Sequence, residues 1–236
     1  GRLYTMVQEK EKYLWPSLSR YQRLKEFHRP GNFILRALQY EALSMVGALG
    51  NMLDVGGGRK CDYYDLLSCE NYSSINIDAG IEPTWVVPVD SKFPVEDGTF
   101  DTVLAMNTFE HVCNPEFLLR EIARSLRKDG RFVASTPFIY MIHAHPDDYF
   151  RPTGSWWKEK LAENGFVDIE ITPLTWGPHS SGHCAVGVNG FGKRLKLSLA
   201  IYSDIIYSKL RSKNPKKLYE TLSLFPAGYF VTAIKP

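Results

Sequence analysis

After residue 50 the chain alternates between short apolar runs and segments with helical spacing, and this alternation limits its possible folds more than any other feature. The apolar runs predict strands at 52–55, 73–78, 85–90, 100–107, 131–138, 167–174 and 229–236. Between them, residues 115–130 and 153–166 repeat apolar side chains at helical spacing. Strands that alternate with helices form a mostly parallel sheet covered on both faces. We therefore predict an α/β fold.

Two segments lie outside this alternation. Residues 1–50 predict an N-terminal helical segment, and residues 175–228 predict a helical insertion between the last two strands of a domain formed by 51–174 and 229–236. The insertion carries an apolar stripe, formed by Leu195, Leu199, Tyr202, Ile206 and Leu210. Such stripes usually face the core, so we expect this one to pack on the domain. A lid, a dimer surface and a membrane-surface helix remain alternatives for the stripe. We expect the N-terminal segment and the insertion to form a lid near the pocket for the ligand.

Composition excludes several classes of protein. The formal net charge is +2, which gives no strong field for nucleic acid or membrane binding. The four cysteines form no CxxC pair, as is usual in a reducing cytosol, and no apolar run reaches the length of a membrane span. The first residues lack the pattern of a signal peptide. We expect a cytoplasmic protein without a membrane span and without a nucleic-acid partner.

Three glycines directly follow the first predicted strand, in the stretch NMLDVGGGRKC (51–61). A dinucleotide fingerprint would need a third glycine where Cys61 stands. A Walker-type phosphate loop fails too, because the lysine has no glycine before it and no hydroxyl after it. The pattern that fits is acid-x-Gly-x-Gly, from Asp54 to Gly58. The aspartate would repel a pyrophosphate but suits a ligand with an ammonium and a sulfonium group.

Polar side chains also end the next three predicted strands. Asp78 can accept hydrogen bonds from both hydroxyls of a ribose, and Asp90 can accept from an adenine amine with the Ser91 N–H nearby. Asn107 ends the fourth strand. Ligands of open α/β sheets bind at the carboxyl ends of the strands, so these residues predict a nucleoside site.

Four runs of the chain carry a resemblance to a known family: LDVGGG, INIDAG, VDSKFPVEDGTFDTVLAMNTFEHV and EIARSLRKDGRFVASTP. They resemble the class I S-adenosylmethionine-dependent methyltransferases that act on small molecules, and within that class the methyltransferases of type 11. The resemblance covers about 50–172 and the closing strand YFVTAIKP. It implies a Rossmann-like seven-stranded sheet with an antiparallel last strand, and S-adenosyl-L-methionine (SAM) as cofactor. It implies cofactor contacts at Asp54, Gly56, Gly58, Asp78, Asp90 and Asn107, to which we add the neighbours Gly57, Ala79 and Ser91. Lys60 stands where many members carry a third glycine.

Methyl transfer needs an oriented acceptor and sometimes a base that removes its proton. His111, after the fourth strand, is a candidate base, and its alternative role is a hydrogen bond to nearby backbone. The loop 138–154 follows the fifth strand, and the resemblance places it near the acceptor. His143 and His145 are further candidate bases there. Tyr140, Asp148 and Arg151 are candidate substrate contacts, although a pairing of Asp148 with Arg151 would instead brace the loop.

A metal site is a further alternative for this loop. His143, His145 and Asp147 or Asp148 are residue types that bind zinc or another divalent ion. No fourth ligand stands at a fixed spacing, so we predict no metal. The stretch GPHSSGHC (177–184) adds two histidines and a cysteine, and we expect it to form a polar loop.

These observations predict a methyltransferase that acts on a hydroxyl, or an amine, of a small molecule such as a sugar or a secondary metabolite. We expect a monomer or a homodimer. One alternative is a non-catalytic adenosyl-binding protein that acts through a partner. Another is a nicotinamide-dependent oxidoreductase, which Cys61 and the charge of Asp54 disfavour.

Overall fold

A computed structural model describes residues 16–27, 34–144, 146–187 and 191–236. His145, one of the candidate bases, lies outside the described residues. The strands are β1 (Asn51–Val55), β2 (Asn71–Asn76), β3 (Trp85–Val86), β4 (Phe100–Met106), β5 (Leu126–Pro137), β6 (Val167–Leu174) and β7 (Gly228–Ile234). The helices are α1 (Leu18–Phe27), α2 (Ile34–Ser44), α3 (Pro115–Ser125), α4 (Gly154–Glu163), α5 (Pro178–Val186), α6 (Lys193–Arg211) and α7 (Pro215–Leu222).

The chain divides into two compact units. We call 42–137, 142–172 and 229–236 the sheet unit. The helical unit comprises the described residues of 1–41, 138–141 and 173–228. None of the described helices combines the length and apolar composition needed to cross a membrane.

The sheet has seven strands in the order β3-β2-β1-β4-β5-β7-β6. β1 pairs in parallel with β2 and β4, and the pairs β2–β3 and β4–β5 are also parallel. β7 runs antiparallel to β5, because Asp129 bonds to Lys235 at one end while Ser135 bonds to Tyr229 at the other. The predicted α/β sheet with an antiparallel last strand is confirmed. The order reverses between β1 and β4, which is where such sheets bind ligands.

A buried aromatic cluster anchors the sheet unit. Phe109, directly after β4, lies with its ring centroid 4.8 Å from that of Trp157 in α4 and 6.1 Å from that of Phe132 in β5. All three are fully buried. Thr153 begins α4 as predicted, since its hydroxyl accepts the Trp156 N–H. These contacts hold the segments after β4 and β5 beside the sheet.

The helix predicted over 115–130 is shorter than its pattern indicated. It ends at Ser125, and β5 begins at Leu126 rather than at residue 131. The N–H of Asp129 donates to the Lys235 carbonyl, and the N–H of Lys235 donates to Gly130. Backbone partners on β7, distant in sequence, therefore extend the strand, and a local apolar pattern cannot reveal them.

The expectation that the stripe in the insertion faces the core was wrong. Its members are exposed on α6: Leu195 (64%), Leu199 (58%), Tyr202 (45%), Ile206 (58%) and Leu210 (83%). The buried face is formed by Leu197, Ile201 and Ile205. This helix has apolar residues on two faces, and among the described residues its buried apolar side chains lie on only one of them.

The stretch 177–184, predicted as a loop, forms most of α5. The fully buried Asp204 of α6 accepts the backbone N–H groups of His179 and Ser180 and lies 2.7 Å from the His179 Nδ1 atom. These bonds satisfy donors in the first turn of α5. The carboxylate that starts the helix comes from another element, so the local sequence gave no sign of it.

Candidate functional site

A cavity of about 600 Å³ lies in the sheet unit beside the carboxyl ends of β1, β2 and β4. Its size is typical of sites for drug-sized ligands. Six candidate residues line it: Gly56, Asp78, Asp90, Ser91, Asn107 and His111. Much of the remaining lining is apolar, including Ile77, Ile81, Val87, Val89, Phe93 and Phe117. The polar residues predicted from the sequence to bind a ligand therefore lie together in this cavity.

The glycine loop brings bare backbone close to its surroundings. A Cβ on Gly56, whose φ is +86°, would lie 2.2 Å from the Thr108 hydroxyl. A Cβ on Gly58 would lie 2.3 Å from the Ile81 carbonyl oxygen. Lys60, the departure from the family pattern, places its ammonium 2.7 Å from the Glu82 carboxylate on the exposed side of the loop. Any side chain at the first or third glycine would displace a neighbour.

Asp54, which the sequence analysis expected to contact the cofactor, lies in a different place. It is fully buried and stands outside the cavity lining, and its carboxylate accepts hydrogen bonds from the hydroxyls of Tyr63 and Tyr72. Burial raises the pKa of Asp54 to about 7, although the two hydroxyls act in the opposite direction. A Cβ on Gly57 would lie 1.8 Å from this carboxylate. These contacts place the Asp54 carboxylate between the two tyrosine hydroxyls and the backbone of Gly57.

Asn76 is a residue that the sequence analysis missed. Its side-chain amide donates to the Gly56 carbonyl at 2.6 Å, and its side-chain oxygen accepts the Asp78 N–H at 2.9 Å. It therefore ties the loop after β1 to the loop after β2, and it lines the cavity. A polar residue inside the predicted strand 73–78, two positions before Asp78, was the signal that the sequence offered.

Three candidate residues after β2, β3 and β4 project from tight backbone turns. Asp78 caps the short helical turn Ala79–Ile81 by accepting the Gly80 N–H at 2.7 Å. Asp90 and Asn107 have φ angles of +58° and +51°, which aspartate and asparagine tolerate better than most residues. Ala79 is exposed in the turn and is absent from the cavity lining.

A second group of candidates lies at one side of the cavity. His111 lines the cavity, and its ring is 5.0 Å from that of His143, centroid to centroid. The fully buried Glu110 places Oε1 3.8 Å from the Nε2 atom of each ring. The Nδ1 atom of His111 lies 2.5 Å from the Asp147 carbonyl oxygen, which is the backbone contact considered as its alternative role.

Asp148 and Arg151 form the bracing pair. The Arg151 guanidinium donates to both oxygens of the Asp148 carboxylate, one of them at 2.6 Å, and Asp148 also accepts the His143 N–H at 2.9 Å. The Arg151 hydrogen bonds lower the pKa of Asp148 to about 2. These contacts occupy both side chains within the loop and support the bracing alternative. Tyr140 lies in the helical unit, next to Met141, whose N–H donates to Cys184.

The residues fit an adenosyl ligand. The exposed Asp78 carboxylate lies at the cavity, where it can accept hydrogen bonds from ribose hydroxyls. Apolar side chains next to Asp90 and Ser91 suit a flat base, and Gly56 lines the same cavity, where a ligand tail could approach its backbone. These residues lie on one edge of the sheet and together could hold a nucleoside.

Comparison with known proteins supports this assignment. A family model described as a methyltransferase domain matches residues 53–134, which contain the glycine loop, Asp54, Asp78 and Asp90. This match confirms the resemblance to the class I SAM-dependent methyltransferases over this part of the chain. No curated protein matched the sequence.

Solved structures share the fold at low sequence identity. A SAM-dependent methyltransferase from Thermotoga maritima, described as a possible histamine N-methyltransferase, is 15% identical, with a TM-score of 0.56 over 96% of this chain and 98% of its own. The complex of the Haloferax volcanii Trm112 methyltransferase activator with a methyltransferase gives 15% identity and a TM-score of 0.53 over 83% and 88% of the two chains. The [4+2]-cyclase SpnF is 16% identical, with a TM-score of 0.53 over 85% of this chain and 82% of its own. At such identities these likenesses describe the fold alone.

Proposed function

From this likeness to the class I methyltransferases, we propose that the chain binds SAM and transfers its methyl group to a hydroxyl, or an amine, of a small molecule. The observation that carries the proposal is the cavity, where Gly56, Asp78, Asp90 and Asn107 meet at the switch point of the sheet. Asp78 would bind the ribose, Asp90 and Ser91 the base, and the glycine loop the amino-acid tail. Bound SAM supplies an activated methyl group on a sulfonium.

The acceptor binds beside His111 and His143 in this proposal. His111 belongs both to the cavity lining and to the group formed with Glu110. A residue at this junction can touch an acceptor while the methyl donor fills the rest of the cavity. We retain His111 and His143 as the residues that activate the acceptor, and Asp148 and Arg151 as residues that position the loop.

Calorimetry of the purified protein with SAM, S-adenosylhomocysteine and NADH tests the proposal directly. We expect the two adenosyl ligands to bind and NADH to leave no signal, because the loop lacks the dinucleotide fingerprint. Binding of NADH alone would contradict the proposal and restore the oxidoreductase alternative.

Asp78→Ala tests the ribose contact. Loss of charge-assisted hydrogen bonds worth about 1.5–3 kcal/mol should weaken SAM binding by roughly tenfold or more. Calorimetry measures the change, with Asp65→Ala as a matched control, because Asp65 is exposed in a short turn outside the cavity lining. Equal SAM affinity in wild type and Asp78→Ala would remove Asp78 from the binding site.

The non-catalytic alternative keeps the same cofactor site. Its support is the fold neighbour solved with an activator protein, which shows that such a fold can occur in a complex. Incubation with SAM and a panel of hydroxyl and amine acceptors separates the two functions. Formation of S-adenosylhomocysteine with any acceptor favours the enzyme, whereas tight SAM binding without turnover across the panel favours the alternative.

A further inference from the structure

Three side chains converge at the edge of the cavity: Glu110, His111 and His143. We call them the Glu–His–His cluster. One ligand atom from each lies within 4.8 Å of the other two. The Glu110 side chain is fully buried, and the two histidines are 17% and 34% exposed. Among the described residues this is the group whose donor atoms could share a metal ion.

The spacing within the cluster is that of ligands around a shared ion. Both Nε2 atoms lie 3.8 Å from the same Glu110 Oε1, which is too long for a hydrogen bond. Ligand bonds of about 2.0–2.2 Å to one divalent ion place neighbouring donor atoms roughly 3.3–4 Å apart. The two carboxylate–imidazole separations fall in this range, and the third pair of ligand atoms lies within 4.8 Å, so side-chain adjustments would close the group around an ion.

The outer contacts of the two rings orient both Nε2 atoms toward the carboxylate. The Nδ1 atom of His111 faces the Asp147 carbonyl oxygen at 2.5 Å, so in a neutral ring this nitrogen carries the proton and donates it. The Nδ1 atom of His143 lies 3.3 Å from the Asp148 carboxylate, which Arg151 holds in place. Histidines that bind a metal usually donate their other ring N–H to a carbonyl or a carboxylate in this way.

We propose that Glu110, His111 and His143 bind a divalent transition-metal cation of the zinc class. Two imidazoles and one carboxylate are ligands that zinc accepts, and three protein ligands leave a position open, as in catalytic sites. His111 also lines the cavity, so the open position is available to an acceptor bound there. The sequence predicted no metal, because no fourth ligand stood at a fixed spacing. Glu110 and His143 are distant along the chain, and only the fold brings them together.

The role of the ion rests on the proposed function and narrows the acceptor to one with a hydroxyl group. A hydroxyl oxygen bound to the cation loses its proton to solvent more readily. The oxygen then attacks the methyl carbon, the carbon–sulfur bond breaks, and the products are a methyl ether, S-adenosylhomocysteine and the released proton. An amine acceptor would gain nothing from this arrangement, since a metal-bound amine has no free electron pair for the attack.

The test measures metal binding by the full chain in the absence of SAM and acceptor. Metal-free protein is titrated with Zn²⁺ by calorimetry, and with Co²⁺ to follow its visible absorption. We expect one equivalent to bind to wild type. Glu110→Gln, His111→Ala and His143→Ala should each weaken binding by about tenfold or more. Asp148→Asn, which changes the carboxylate beside the His143 Nδ1 atom, should weaken it by about tenfold. His179→Ala, in the helical unit, is the matched control and should bind as wild type does.

Two readouts keep this test separate from the proposed function. Circular dichroism and SAM calorimetry in EDTA report whether each variant is folded and binds cofactor. Zn²⁺ binding that is equal in wild type, Glu110→Gln and His143→Ala would overturn the metal site even if SAM binds. If the wild-type protein binds Zn²⁺ at this cluster but does not bind SAM, the metal site is supported and the proposed methyltransferase function is overturned.

Discussion

Gly57→Ala is expected to damage both the stability and the cofactor binding of this protein. The added Cβ would lie 1.8 Å from the Asp54 Oδ2 atom, well inside contact distance. Asp54 is fully buried, and the hydroxyls of Tyr63 and Tyr72 hold its carboxylate at 3.0 and 2.8 Å. Neither side can retreat without breaking these bonds. We expect the free energy of unfolding to fall by about 1–3 kcal/mol and SAM affinity to fall by at least about tenfold.

Denaturant unfolding and SAM calorimetry measure the two effects. Gly182→Ala is the matched control, because a Cβ there meets nothing within 4 Å and the residue lies inside α5. Alanine is favoured over glycine in a helix by about 1 kcal/mol, so the control should be neutral or more stable. A Gly57→Ala protein that unfolds like wild type would show that the loop does not depend on the Asp54 support.

Asp54→Asn is expected to remove most of the pH dependence of stability between pH 4 and 7. Burial raises the pKa of Asp54 to about 7, so the native state holds this proton more tightly than the unfolded chain, whose aspartates titrate near 3.9. The free energy of unfolding of wild type should therefore fall as the pH rises through this window, by at most about 4 kcal/mol. Asparagine has no proton to lose, so this fall in the free energy of unfolding should be absent from the Asp54→Asn protein.

Urea unfolding at several pH values measures this slope. Asp65→Asn, at an exposed aspartate, should keep the wild-type slope. Below pH 4 a change of opposite sign is expected, since the pKa of Asp148 is lowered to about 2 and the stability that it contributes is lost as the pH falls through that range. A wild-type slope that persists in Asp54→Asn would contradict the role assigned to the buried carboxylate.

The polar residues that line the cavity were predictable because they lie in short segments with local signals. Gly56 follows a buried strand, while Asp78, Asp90 and Asn107 each stand close behind a strand that pairs with its neighbour in parallel. Parallel strands place their carboxyl ends on one edge, so strand order alone brings such residues together. Asn76 escaped notice because its importance lies in two bonds to other loops.

The acceptor side was only partly predictable. The sequence identified His111 and His143 as candidate bases, and left open whether Asp148 touches substrate or pairs with Arg151 to brace the loop. The structure adds their partners, which are the Asp147 carbonyl for His111, Glu110 for both histidines and Arg151 for Asp148. Each of these contacts depends on how the segment after β4 meets the loop after β5, which no spacing rule describes.

By itself the sequence determined the α/β class, the position of the glycine loop and the acids at the strand ends, because these depend on local periodicity and on residue type. Only the tertiary structure decided that Asp54 is buried under Gly57, that the apolar stripe of α6 is exposed, and that Glu110 meets two histidines. Each of these arises where segments distant in sequence pack together, and side-chain burial is set by those partners rather than by the chain's own pattern.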